Sequence, residues 1–314
     1  MARRKDIRII IGPTASGKSK LAARVAKRLE TDVISMDSMK VYRRMDIGTA
    51  KPSAKLRREV TYHMIDILEP TQTYTVADYV QDSMRIADTL HGLGKPPLFA
   101  GGTALYYKGI IEGIFEGPAV DPAVRKSLEK QADEEGVPAL HSELSKVDSA
   151  SGKRILENDR RRIIRALEVY RTTGQTITSL QKQFGTRREG YRFFVLGLLP
   201  EREYCYRLCE ARVDRMVQEG LVEEARDLYR DRARLGRGPL QAVGYKELFE
   251  HFAGNLPLEE AIENIRTHTR QFARRQYMWF RKFEDVKWID RLPGDTPESL
   301  EERAVNEYPE FFGL

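Results

Sequence analysis

Apolar positions in the N-terminal third of the chain alternate between short β-branched runs and helical stripes. Residues 8–11 predict a strand, and residues 20–29 carry apolar side chains at helical spacing. Further strands are predicted over residues 31–35 and 97–100, with a helix over residues 78–90 between them. Strands that alternate with helices in this way indicate an α/β fold, a parallel sheet with helices on both faces.

The middle of the chain departs from this alternation. Residues 118–191 show helical patterning and few strand signals, whereas residues 192–199 are apolar and β-like again. We therefore predict an inserted helical domain over residues 118–191. The α/β core then comprises residues 1–117 and 192–314, and its C-terminal part is helical, with one long helix near residues 258–282.

An eight-residue string connects the first strand to the first helix and fits G-x-x-x-x-G-K-[ST] in full. It consists of Gly12, Pro13, Thr14, Ala15, Ser16, Gly17, Lys18 and Ser19. The glycines let the backbone curl so that N–H groups face phosphate oxygens, and the helix adds its positive end. Lys18 is expected to neutralise a phosphate and the Ser19 hydroxyl to ligate Mg²⁺. A chance glycine-rich turn is the alternative, which the flanking strand and helix disfavour. The core is therefore predicted to resemble a P-loop NTPase.

The sequence after the third strand bears on which phosphate compound binds. An NTPase normally supplies an acidic Mg²⁺ ligand after an apolar strand. Residues 97–100 are instead followed by Gly101, Gly102 and Thr103. The missing carboxylate disfavours an ATPase and leaves room for a diphosphate donor.

Asp37 and Thr103 both follow predicted strands, at the edge where open α/β sheets bind ligands. The Asp37 carboxylate is placed to accept a proton from a nucleophile, and the Thr103 hydroxyl to hydrogen-bond a leaving oxygen. Capping of a helix or a tight turn is an equal alternative for each residue. Position alone does not separate these interpretations.

Composition adds a preference for an acidic partner. The 314 residues carry a net charge of +6, and 41% are hydrophobic, enough for a full core. No apolar run approaches the roughly 18–20 residues that span a bilayer, and the basic start resembles no signal peptide. Cys205 and Cys209 have no zinc-ligand spacing, so we expect reduced thiols in a cytoplasmic protein.

Basic residues concentrate in two segments, residues 153–171 and 266–282. At helical spacing, Arg266, Arg270, Arg274 and Arg281 share one arc of the second segment, which suits an RNA phosphate track. Ile262, Ile265, Phe272, Trp279 and Phe280 share another arc, which predicts core packing. A solvated helix face remains the alternative for the arginines. Two basic clusters suggest RNA held between the two domains.

Several strings together resemble the tRNA dimethylallyltransferase (tRNA isopentenyltransferase) family in its compact bacterial type. They are residues 12–19, 34–38, 42–52, 101–106, 158–159 with 165–169, 241–246, and 270–271 with 274–276. They occur in the family's order and span nearly the whole chain, so the combination is far more specific than the phosphate loop alone.

The resemblance implies transfer of a dimethylallyl group from dimethylallyl diphosphate to N6 of the adenosine just 3′ of the tRNA anticodon. It implies that the phosphate loop, with Mg²⁺, holds the diphosphate and that Asp37 is the general base. Thr103 is then expected at the leaving-group oxygen, Lys18 in catalysis, and Arg125 at the diphosphate or the tRNA. The expected partners are the anticodon stem-loop and dimethylallyl diphosphate, no membrane, and a monomeric enzyme.

The resemblance also implies a set of tRNA contacts. They are Asp37, Ser38, Met39, Lys40, Thr103, Arg125, Arg161, Arg162, Ile163, Ile164, Arg165, Gln271 and Arg274. Three other functions compete with this one. They are a nucleotide or metabolite kinase with a helical lid, a non-catalytic nucleotide-dependent RNA-binding module, and prenylation of free AMP. The kinase is disfavoured by the missing carboxylate, and AMP prenylation by the basic clusters far from the loop.

Overall fold

The computed structural model describes residues 4–114, 121–181 and 187–314. Within these residues the strands form a single sheet. They are β1 (Lys5–Ile11), β2 (Val33–Met36), β3 (Tyr62–His63), β4 (Leu98–Gly101), β5 (Tyr191–Pro200) and β6 (Lys287–Arg291). All pairs are parallel, in the order β3-β2-β4-β1-β5-β6. The predicted α/β fold with a parallel sheet is confirmed.

The helices fill the intervals between the strands, the middle of the chain and the C-terminal third. They are α1 (Lys18–Arg28), α2 (Ala54–Glu59), α3 (Val76–Gly92), α4 (Ala104–Glu112), α5 (Pro122–Glu134), α6 (Val137–Val147), α7 (Ser149–Arg154), α8 (Arg160–Thr173), α9 (Ile177–Leu180), α10 (Arg202–Gln218), α11 (Leu221–Tyr229), α12 (Arg237–Gln241), α13 (Tyr245–Phe252), α14 (Leu258–Phe280), α15 (Pro297–Glu307) and α16 (Pro309–Phe312).

The central strand β1 is the most apolar part of the sheet. Ile7, Ile9, Ile10 and Ile11 are all fully buried, as expected for a parallel strand covered on both faces. Leu21 of α1 belongs to the same buried cluster as Ile10. Each such side chain contributes on the order of 2 kcal/mol through burial. This packing fixes α1 against the strand that precedes it.

The register brings three strand ends to one edge of the sheet. Ile11 of β1 and Met36 of β2 both pair with Gly101 of β4. A Cβ atom at Gly101 would lie 1.9 Å from the Met36 carbonyl oxygen, so only glycine permits this approach of the two strands. The segments that leave β1, β2 and β4 therefore start side by side.

The chain divides into two compact units, Met1–Gly109 with Glu189–Leu314 and Ile110–Arg188. The first contains the sheet. The second is helical and has its own core, with buried residues that include Leu128, Leu140, Leu144, Ile163 and Leu167. The proposed insertion boundary between residues 117 and 118 lies outside the described residues. The domain limits predicted from the sequence stay a prediction.

Candidate active site

The phosphate loop lies between β1 and α1, at the edge where the strands end. Gly17 is the N-cap of α1, with φ of 90°, and it has no side chain to cap the helix. The amides of the first helical turn are therefore left to bind a ligand, and the helix dipole favours an anion there. Ala15 also has a positive φ, 62°, which is uncommon for a residue other than glycine.

Lys18 points across the loop. Its side chain is 9% exposed, and Nζ donates a hydrogen bond to the Pro13 carbonyl at 3.0 Å. The pKa of Lys18 is lowered to about 7, first by burial and then by the charges of Arg212 and Lys40, while Asp37 opposes the shift. Cations therefore outnumber carboxylates around the loop, and a bound polyanion would relieve their repulsion.

A cavity of about 1000 Å³ opens beside the loop. Its cationic lining residues include Lys18, Lys40, Arg212, Arg215 and Arg291, and its apolar ones include Leu208, Ala211, Met216 and Phe272. Ser19 and Asp37 also line it. The cavity lining therefore provides cationic side chains for an anionic group and apolar side chains for an apolar group of the same ligand.

Asp37 follows directly after β2. Its Oδ1 accepts hydrogen bonds from the N–H groups of Met39 at 2.9 Å and Lys40 at 3.3 Å. The capping alternative is thus partly right, because one oxygen shapes the turn. No residue in the described ranges donates to Oδ2. Oδ2 is the oxygen left for a substrate proton.

Thr103 has the turn-forming role that was one of its two alternatives. Its carbonyl accepts the N–H groups of Tyr106 and Tyr107 and so begins α4, while its Oγ1 accepts the N–H of Ser38 at 3.2 Å. Gly101 and Gly102 line the cavity, but Thr103 is not among its lining residues. Contact of Thr103 with a leaving oxygen stays a prediction.

Four residues that border the site were missed as site residues. They are Arg212, Phe272, Gln276 and Arg291. Gln276 bonds to Thr14, 262 positions away, and Arg291 bonds to Ala15, 276 positions away. Contacts at that separation leave no local pattern in the sequence.

The arginine arc of α14 is only partly available to RNA. Arg266 pairs with Asp214 at 2.7 Å, and Arg270 pairs with Glu210. These two arginines are therefore balanced by carboxylates of α10, and the four-arginine phosphate track stays a prediction. Gln271 and Arg274 are exposed, so they stay predicted RNA contacts.

The aromatic arc of α14 is also divided. Ile265 and Phe280 are buried, as predicted, but Phe272 and Trp279 are each 40% exposed. The prediction of core packing is wrong for these two rings. Helical spacing shows which residues share a face but not how far along the helix that face is covered, and Phe272 faces the cavity.

Arg125 lies in the helical unit. Its Nη2 donates to Glu168 Oε2 at 3.2 Å, and Arg165 Nη1 donates to the same oxygen at 2.8 Å. Glu168 is 1% exposed, so a buried carboxylate holds the two arginines together. The assignment of Arg125 to the diphosphate or the tRNA stays a prediction, as does that of Arg165 to the tRNA.

The start of α8 presents part of the predicted tRNA surface. Arg161 and Arg162 are exposed, and Arg162 lies 3.5 Å from Asp159. Ile163 and Ile164 are buried, 0% and 5% exposed, in the core of the unit. Their side chains therefore support the helix, and the prediction that they touch tRNA is not supported for the side chains.

The donor set fits Mg²⁺ held mainly by a substrate. No group of three His, Cys, Asp or Glu side chains in residues 4–114, 121–181 and 187–314 could hold a metal ion. Mg²⁺ commonly takes one or two protein oxygens and completes its shell with phosphate oxygens and water. The exposed Ser19 hydroxyl at the cavity wall suits that role.

Two further predictions concern the thiols and membranes. Cys205 and Cys209 are free and buried, as reduced thiols should be. Among the described helices, none is long and apolar enough to cross a membrane.

Comparison with protein-family models gives two matches. The model described as IPP transferase matches residues 40–283, and the model described as isopentenyl transferase matches residues 5–64. Together they cover the phosphate loop, the segment after β2 and most of the helices.

Curated relatives match over almost their whole length. The tRNA dimethylallyltransferase of Geobacter sulfurreducens is 44% identical over 282 residues, which cover 90% of this chain and 91% of the relative. The tRNA dimethylallyltransferase of Halalkalibacterium halodurans is 40% identical over 294 residues, 93% of each chain.

Solved structures of similar proteins also match over nearly the whole chain. A tRNA isopentenylpyrophosphate transferase from Bacillus halodurans has a TM-score of 0.72 at 38% identity, covering 99% of this chain and 97% of the other. A eukaryotic dimethylallyltransferase acting on tRNA has a TM-score of 0.82 at 24% identity, covering 98% of this chain and 80% of the other. The second likeness supports the fold.

Proposed function

The chain belongs to the IPP transferase family of tRNA dimethylallyltransferases, and from that premise we propose the reaction it catalyses. It is an enzyme of the prenyltransferase class that modifies tRNA. In the proposed reaction, a dimethylallyl group moves from dimethylallyl diphosphate to N6 of the adenosine 3′-adjacent to the anticodon. Diphosphate is the product that leaves.

The observation that carries the proposal is the cavity beside the phosphate loop. Its lining combines cationic side chains, apolar side chains and the Asp37 carboxylate. A prenyl diphosphate has an anionic end and an apolar end, and its carbon chain needs a surface such as Met216 and Phe272. A nucleoside triphosphate presents no comparable apolar chain, which favours the prenyl donor over the kinase alternative.

The residues divide the chemistry between proton transfer and charge stabilisation. The exocyclic amine of adenine is a poor nucleophile and must lose a proton as the C–N bond forms, so Asp37 Oδ2 accepts that proton. The allylic C–O bond breaks and negative charge grows on the diphosphate. Lys18, Arg212 and the amides that begin α1 stabilise that charge where it develops. When bound, Mg²⁺ held by Ser19 would supply further neutralisation of the diphosphate.

The tRNA side of the proposal rests on exposed basic residues and on the turn after β2. A stacked adenosine cannot reach a carboxylate in the cavity, so we infer that the base is flipped out of the anticodon loop. The flipped base is proposed to be guided by the residues that follow Asp37, namely Ser38, Met39 and Lys40. Arg161 and Arg162 are proposed to contact the tRNA backbone. We extend the proposal to a monomeric, cytoplasmic enzyme.

The deciding experiment incubates the purified protein with bulk tRNA and dimethylallyl diphosphate labelled in the prenyl group. Label should enter tRNA, and diphosphate should be released only when tRNA is present. Parallel reactions replace tRNA with AMP, or the prenyl donor with ATP. Transfer to AMP would favour prenylation of a free nucleotide. Phosphoryl transfer from ATP without prenyl transfer would overturn the proposal.

A further inference from the structure

The phosphate loop packs against α14. Ala273, 1% exposed, packs with Cys205 and Cys209 in a small cluster that Ala15 joins. One turn further, Gln276 is 7% exposed and reaches the loop itself. The loop is therefore supported by a helix that lies far from it in sequence.

Gln276 uses both ends of its amide. Its Oε1 accepts the Thr14 N–H at 2.7 Å, and its Nε2 donates to the Gly102 carbonyl at 2.7 Å. One side chain thus joins the phosphate loop to the turn that carries Thr103. The position requires a group that donates and accepts at once, which a carboxylate or a thioether cannot do. A Cβ atom at Gly102 would lie 2.4 Å from Nε2, so the glycine leaves room for this bridge.

Arg291 binds the following residue of the loop. It ends β6, and its Nη1 donates to the Ala15 carbonyl at 2.9 Å. Ala15 has a φ of 62°, and such a conformation persists only where surrounding contacts hold it. Arg291 also closes over Gly17, where an added Cβ atom would lie 3.0 Å from Nη1. Two residues from the C-terminal part of the chain therefore hold adjacent loop residues.

We propose that Gln276 and Arg291 form a clamp that sets the phosphate loop in its binding shape before the diphosphate arrives. Both are positioning residues. The Thr14 N–H and the Ala15 carbonyl are held by protein, which leaves the amides at the start of α1 for the ligand. A loop ordered in advance loses less conformational freedom on binding, so the clamp raises diphosphate affinity. The inference rests on the proposed function for the identity of the ligand.

Binding of inorganic diphosphate, measured by titration calorimetry, tests the clamp without requiring prenyl transfer. The variants are Gln276→Met, Arg291→Met and their combination. Each single change should weaken binding roughly tenfold, the effect of losing one or two hydrogen bonds. The fold loss of affinity in the double variant should be smaller than the product of the two single fold losses, because both residues order the same loop.

The double variant distinguishes ordering of the loop by the clamp from a purely electrostatic effect of Arg291 on binding. Arg291 also lines the cavity as a cation, and a purely electrostatic contribution would be independent of Gln276. Strictly multiplicative losses would therefore overturn the clamp. Single variants that bind diphosphate as tightly as the parent protein would overturn it as well.

Steady-state kinetics separate positioning from general destabilisation. The KM for dimethylallyl diphosphate should rise in Gln276→Met while the KM for tRNA stays unchanged, and the thermal midpoint should fall modestly because two buried backbone groups lose their partner. Gln218→Met, an exposed change at the end of α10, is the matched control and should leave all three unchanged. A fall in the thermal midpoint with both KM values unchanged would assign Gln276 to stability alone. If the parent protein itself fails to bind diphosphate, the proposed function fails and not the clamp.

Discussion

The backbone N–H of Ser38 donates a hydrogen bond to the Thr103 hydroxyl at 3.2 Å. In return, the Thr103 N–H donates to the carbonyl of Met36 at 3.3 Å. The segments that follow β2 and β4 are thereby joined in both directions. Asp37 lies between the two bonded residues, so its carboxylate is held at the cavity wall with little freedom to move.

This placement predicts the effect of Asp37→Asn. The amide is nearly isosteric but cannot accept the N6 proton, so kcat should fall about 10²–10⁴-fold. The affinity for dimethylallyl diphosphate should not decrease, because the Asp37 carboxylate repels the anionic donor and the amide does not. Single-turnover prenyl transfer and equilibrium binding measure the two effects separately.

Asp227→Asn is the matched control, since the Asp227 carboxylate is exposed and pairs with Arg230. It should leave kcat unchanged. Retention of full prenyl transfer in Asp37→Asn would contradict the general-base role.

Lys18 predicts a pH dependence of diphosphate binding. Its pKa is lowered to about 7, chiefly by burial, so at pH 8 the free enzyme holds it mostly neutral. A bound diphosphate stabilises the charged amine and raises that pKa. Binding at pH 8 should therefore take up protons, and the affinity should fall as the pH rises above 7, by at most about tenfold per unit for this group.

Calorimetry in two buffers with different ionisation enthalpies counts the protons. At pH 6 the Lys18 amine is already charged, so its share of the uptake should vanish. The Lys18→Met variant should lose that share at pH 8. Equal proton uptake by Lys18→Met and the parent protein would contradict the assignment to this amine.

Local signals were sufficient to predict the core of the site. The phosphate loop and Asp37 each follow a short apolar strand, and the parallel register then brings them to one edge. β3 and β6 were missed. β3 has only two residues, and β6 alternates buried with exposed positions too briefly to show a period.

The remaining site residues depend on tertiary packing. Gln276 resembles any polar residue of a helix until α14 is placed behind the loop. Arg270 resembles an RNA contact until Glu210 of α10 is placed beside it. Phe272 has the spacing of a core residue, and only the position of the cavity exposes it. These partners lie far apart in the sequence, so the local pattern of residues does not indicate that they are in contact.

Glu168→Gln should destabilise the helical unit. The carboxylate is buried and is shared by Arg125 and Arg165, so the neutral amide removes its negative charge from both guanidinium groups. Both arginines are partly exposed, which moderates the cost to about 1–3 kcal/mol. Thermal unfolding of the full chain measures the loss.

Glu157→Gln, at an exposed position before α8, is the control and should change stability little. An unchanged melting temperature in Glu168→Gln would show that the carboxylate charge does not stabilise the helical unit. A fall in the control as well would show that loss of any acidic residue from this basic unit destabilises it.

Arg161 and Arg162 predict the salt dependence of tRNA binding. Both are exposed at the start of α8, where each can neutralise a phosphate and release a counterion. Changing both to Ala should weaken tRNA binding and reduce the slope of log K against log salt by about 0.7–0.9 for each lost contact. The affinity for dimethylallyl diphosphate should not change. Binding isotherms at several salt concentrations give the slope directly.

The control replaces Lys27 and Arg28 by Ala, which removes the same charge from the end of α1. That helix begins at the phosphate loop and runs back along the sheet, so its end lies away from the edge that carries the site. Net charge falls equally in both double variants. If both reduce the slope to the same extent, tRNA responds to overall charge and not to a contact at α8. A reduced slope in Arg161→Ala/Arg162→Ala alone assigns the contact to the start of α8.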